Sequence, residues 1–91
     1  MNNKIIISSL AMDLKRAALG YYKGSFKTAD RFAQEAIKRK KEVDLKNLKP
    51  YLVKLLVKME TTLQKSDKKD AAEDLLMYST LFQNYVLKFL K

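Results

Sequence analysis

The chain of 91 residues contains no cysteine, no histidine, only two glycines and a single proline. Each absence excludes something. Without cysteine there is no disulfide and no thiolate metal site, and thiols say nothing about compartment. Without histidine the usual general base and the commonest metal ligand are both missing. A nucleophilic triad needs such a base, so that chemistry goes with it. So few glycines and prolines cannot punctuate an all-β protein, which must turn every few residues. Gly-rich phosphate loops and Walker-type motifs are absent as well. The chain reads as non-enzymatic, with no catalytic residue, no metal and no cofactor expected.

What is present favours helix. Lys, Leu and Ala dominate, and apolar residues make up 47% of the chain, enough for a modest core. The length suits one domain, residues 1–91, with no room for a second core. Nineteen Lys and Arg against ten acids leave a net charge of +9, which keeps a protein soluble and attracts polyanions. The opening "MNNKIIISSLAMDLKR" has one early Lys and a short apolar part interrupted by Asp13. It continues as an amphipathic pattern and reads as structure rather than as a targeting segment. Cytoplasm is the default location.

Periodicity predicts an all-α fold, an antiparallel up-and-down bundle of four helices near 4–22, 26–41, 49–65 and 67–90. In the first, Ile7, Leu10, Ala11, Leu14, Ala17, Ala18, Tyr21 and Tyr22 recur at three- and four-residue steps, with Ser8, Asp13, Lys15 and Arg16 opposite. "KGSF" ends it: Gly24 suits the left-handed position past a helix end, and Ser25 suits an N-cap. A continuous helix through Gly20 and Gly24 would give three helices instead. Phe26, Ala29, Phe32, Ala33, Ala36 and Ile37 form the inner face of the second helix. Its three alanines suit a close neighbour. Asp44 suits the cap of a turn, Pro50 the first turn of the third helix, and Ser66 or Asp67 the cap of the fourth. Leu52, Leu55, Leu56, Met59 and Leu63 form the third stripe, leaving Val53 and Val57 off it.

"LLMYSTLFQNYVLKFL" is the most apolar run, with no charge between Asp74 and Lys88. Its uncharged window is too short to span a membrane, which takes about 20 apolar residues, and it carries Ser79, Thr80, Gln83 and Asn84. No membrane partner is expected. Ala71, Ala72, Leu75, Tyr78, Phe82, Tyr85, Val86 and Phe89 make its main face. Leu76, Leu81 and Leu87 widen that face beyond what one neighbour can cover. The fourth helix is therefore expected to be the central packing element. Leu76, Leu81 and Leu87, with Val53 and Val57, are the candidate contacts of a homodimer.

Carboxylates are densest at Asp67, Asp70, Glu73 and Asp74. They crowd the start of a helix, where they complement the positive end of its dipole. The strongest signal for a ligand is basic. Residues 23–58 hold eleven Lys or Arg against four acids, +7 of the +9. Lys27, Arg31, Lys38 and Lys41 recur along the second helix, and Arg39 and Lys40 complete a basic tetrad. These six are the candidate contacts for DNA or RNA, bound through phosphates without a base-reading motif. The alternative is a solvated helix end enriched in cations. Two functions follow: a small basic helical interaction module that self-associates, or a non-specific nucleic-acid-binding protein.

The segment "ALGYYKGSFKTADRFAQEAIKR" resembles the first helix pair of HEPN-type helical proteins: an aromatic-rich helix, a Gly-containing turn and an Ala-rich second helix. The likeness covers under a third of the chain. It implies a dimeric helical bundle. Nuclease members of that family share an Arg-x4-6-His motif. This chain has no His, so the resemblance implies a non-catalytic relative and transfers no site residue.

Overall fold

Asn2 starts the first helix by accepting the Ile5 N–H on its side chain at 3.0 Å. The structure, a computed structural model, describes residues 2–90. Helix α1 spans Asn3–Lys23, α2 Phe26–Glu42, α3 Pro50–Leu63 and α4 Lys68–Phe89, with a 3-10 turn at Leu45–Asn47 before α3. The expected all-α four-helix bundle is the observed one, and among the described residues there is no strand.

Local chemistry sets each joint. Gly24 takes φ 79°, ending α1 as expected. The Ser25 and Gly24 N–H groups return to the Gly20 and Tyr21 carbonyls at 2.8 and 3.3 Å, a Schellman closure. Ser25 then occupies the N-cap position of α2 but makes no side-chain cap bond. The closure holds its backbone at ψ 63°, short of the extended value a capping hydroxyl needs. Asp44 caps the 3-10 turn through the Lys46 N–H, Pro50 opens α3, and Asp67 caps α4 through the Asp70 N–H at 3.2 Å. Lys68 donates to the Leu63 carbonyl at 3.1 Å, closing the end of α3 with a cation.

Helix α1 packs along its length against α2 on one side and α4 on the other, while α3 meets α4 and, less closely, α2. The centre of the bundle is therefore α1, not α4 as the apolar run suggests. Two close approaches make this so. Gly20 lies so near Ala29 that a Cβ on Gly20 would sit 2.8 Å from the Ala29 Cβ. On the other side the Ser79 hydroxyl donates to the Ala11 carbonyl at 2.7 Å, both inside the core. The main apolar face of α4 is buried except Phe89, its last residue, which is partly exposed.

Asp13 departs from expectation. It is not on the polar side of α1 but buried on the α2 side, with Arg39 Nε 3.7 Å from its Oδ2. Ile6, Leu10, Asp13, Ala17 and Gly20 step by four and three residues, and that line faces α2. Phe26, expected inside, is nearly half-exposed, and Phe32 and Ile37 are half-buried. Ala29, Ala33 and Ala36 are the only buried residues of α2, because at Gly20 and Ala29 the backbones come too close for larger side chains.

Candidate nucleic-acid interface

The six basic residues singled out on α2 divide into two sets. Ala29, Ala33 and Ala36 fix the inward direction of the helix. A residue two positions from one of them points about 200° away, out to solvent. Lys27 and Arg31 flank Ala29 in this way, and Lys38 follows Ala36. All three are exposed, as is Lys41, less than a turn further on. Lys27, Arg31, Lys38 and Lys41 thus lie along one outward strip, with the exposed Gln34 among them. The strip is about 21 Å long, from the helical rise, on a bundle 36 Å in its long dimension. Among the described residues none of these four cations is within ion-pair distance of a carboxylate.

Arg39 and Lys40 are placed otherwise. Arg39 rotates toward α1 and meets Asp13. Lys40 turns toward α3, donating to Glu60 Oε2 at 2.7 Å with both side chains largely covered. Consecutive residues on a helix cannot share a face, so a run of four cations never forms one surface. These two join helices together. The strip has four members.

Asp13 and Arg39 form an unusual pair. Asp13 Oδ2 and Arg39 Nε are both sealed from solvent, and neither makes a hydrogen bond. Burial pushes the Asp13 carboxyl above the usual carboxylate range; Arg39 pulls it down, Glu35 pushes it up and Arg16 pulls it down again. Tyr21, donating to Asp30 Oδ1 at 2.7 Å, is likewise raised, by burial first and that carboxylate second. Tyr21, Tyr78 and Tyr85 belong to the core, which leaves Tyr22 and Tyr51 as the exposed rings.

The acids at the start of α4 are occupied. Asp67 is a cap, and Asp70 and Asp74 take Lys65 between them at 3.4 and 3.1 Å. These bonds hold the Lys65 ammonium above its ordinary range, Asp74 contributing more than Asp70.

The five apolar candidates for self-association do not converge. Val53 is half-buried against the core, and Val57, 56% exposed, lies one turn further along α3. Leu81 lies on the side of α4 toward α3, since Asp74 and Tyr85 along that side reach Lys65 and Tyr51. Leu76 and Leu87, eleven residues apart, lie on the opposite side, near α1. No family model, curated protein or solved structure matches the chain.

Proposed function

We propose that the protein is a non-enzymatic basic interaction module that binds nucleic acid through phosphates, using the outward strip of α2. One observation carries the reading: Lys27, Arg31, Lys38 and Lys41 are exposed, aligned and unpaired among the described residues, whereas Arg39 and Lys40 serve the bundle itself. A rigid helix presenting cations at this spacing can meet successive phosphates without reading bases. The binding is shape- and charge-driven, and it includes both DNA and RNA.

The salt dependence gives the test. Four neutralised phosphates on duplex DNA predict a slope of log K against log salt of about −3.6. Between about 50 and 200 mM salt the affinity then falls about a hundredfold. Anisotropy titrations of labelled duplexes of unrelated sequence should show the same slope for each. Replacing Lys27, Arg31, Lys38 and Lys41 by Gln should flatten it, and Lys40→Gln should leave it unchanged. No binding at low salt, or an unchanged slope in the fourfold variant, would sink the reading.

A further inference from the structure

Helix α1 is the centre of the bundle, yet its outer side is not polar. Ile5, Met12 and Leu19 recur every seven residues along it. The first two are 50% exposed and Leu19 40%. They form a line about 21 Å long, from the helical rise. Beside this line runs a groove between α1 and α4, lined by Met12, Lys15 and Leu19 on one wall and Ser79 and Gln83 on the other. The two helices are antiparallel and in register at the Ser79–Ala11 bond. Counting along both from that bond sets Leu76 level with Leu14, next to Lys15, and Leu87 level with Asn3, next to Lys4. Leu87 is the most exposed of the large apolar side chains among the described residues, at 64%. The result is a face across two helices on which exposed apolar side chains flank Lys15, Ser79 and Gln83, and no part of the described chain covers it.

Its border has one sign on α1. Lys4, Lys15, Arg16 and Lys23 are exposed along that helix, and its only acid, Asp13, is buried against Arg39. Of the three acids on α4, Asp70 and Asp74 turn to Lys65, just past the end of α3. Glu73 is left near the end of the groove.

We infer that this α1–α4 face is the docking site for an amphipathic helix of a partner protein, apolar on one face and acidic along its edges. A helix laid in a groove places anchors at i, i+3 or i+4, and i+7, which matches a line of apolar residues one heptad apart. The basic border selects acidic edges and accelerates encounter. A second copy fits poorly. A two-fold contact would set this basic border against the same basic border of a second copy, on a chain that already carries +9. A lipid surface fits poorly too, because the Gln83 amide in the groove would enter acyl chains with nothing to bond.

The test uses a synthetic helical peptide with leucines at the anchor spacing and glutamates along both edges, together with its scrambled isomer. Binding is read by anisotropy and located by amide shifts. The expected result is binding centred on α1 and α4, weakened about tenfold or more, the equivalent of about 1.4 kcal/mol, by scrambling the peptide or by Met12→Glu with Leu19→Glu. Both positions are exposed, so the variant should melt like wild type. Lys15→Glu keeps the apolar line, reverses the border and should also weaken binding. The fourfold Gln variant of α2 should bind the peptide unchanged, which keeps the two proposals separate. The inference is overturned if the scrambled isomer binds equally or the shifts centre on α2. It is also overturned if phosphatidylglycerol-containing vesicles bind and the peptide does not, or if the wild type sediments as a dimer that Leu19→Glu dissociates.

Discussion

Replacing Arg39 by Met should destabilise the protein at neutral pH, and the loss should shrink on acidification. The change keeps length and apolar stem but removes the charge facing Asp13. Breaking a well-made buried ion pair costs about 3–5 kcal/mol, because the surviving charge is left without compensation. Here the pair is 3.7 Å long, unbonded, and the Arg39 side chain is one-third exposed. Solvent screening lowers the expectation to about 1–3 kcal/mol. The pH dependence follows from direction alone. A carboxyl raised in the folded state is a cost when ionised: the cost is full at pH 7 and is relieved as pH falls through the folded pKa. It is gone below the unfolded value. Removing Arg39 takes away the largest group lowering the Asp13 pKa, so the raised pKa climbs further. The difference between variant and wild type is therefore largest at neutral pH and smallest in acid. Asp13→Leu with Arg39→Met should recover most of the loss, or exceed wild type, since a packed apolar pair avoids both desolvation costs. Urea unfolding followed by circular dichroism, at neutral and acidic pH, measures each term. If Arg39→Met is as stable as wild type at pH 7, or its deficit does not change with pH, the account of Asp13 as a desolvated carboxylate is wrong.

Three further substitutions probe the packing. Gly20→Ala should cost stability despite a gain of about 1 kcal/mol in helix propensity. Its new methyl would meet the Ala29 Cβ at 2.8 Å and Cα at 3.2 Å, forcing backbones apart at about 1–3 kcal/mol. Adding Ala29→Gly should relieve that clash, and a Gly20→Ala protein with a higher melting temperature would contradict the close approach. Gly24→Ala meets no atom but is strained by its φ of 79°, at about 1–2 kcal/mol, seen as a lower denaturation midpoint with unchanged slope. Phe82→Ala, at a fully buried position on α4, should cost about 3–5 kcal/mol. A loss below about 2 kcal/mol in the same urea assay would place it outside the core.

Signals that a few neighbouring residues complete by themselves were legible in the chain. Gly24, Pro50 and Asp67 each mark a helix boundary, because the left-handed turn, the missing N–H and the capping carboxylate act within one turn of where they stand. The buried stripes of α3 and α4 came from spacing for the same reason. Which side of a helix meets which neighbour is a property of two segments, and one segment's spacing does not carry it. Helix four looked central because its apolar arc is broad. Breadth counts apolar side chains, whereas centrality depends on how closely backbones approach, and that was decided by Gly20, Ala29 and Ser79. The charge of Asp13 predicts a solvent-facing side chain. Yet it lies three residues after Leu10 and four before Ala17, on the same line as Ile6 and Gly20, so spacing alone could have placed it inside. Once it is inside, a cation must come from the facing helix, and that requirement withdraws Arg39 from the surface. The tetrad Lys38 to Lys41 thus looked like one basic patch only when the chain was read as a string. On a helix its members point in four directions, and two are held by Asp13 and Glu60. On the proposed reading, a polyanion meets the strip whose members no carboxylate among the described residues claims.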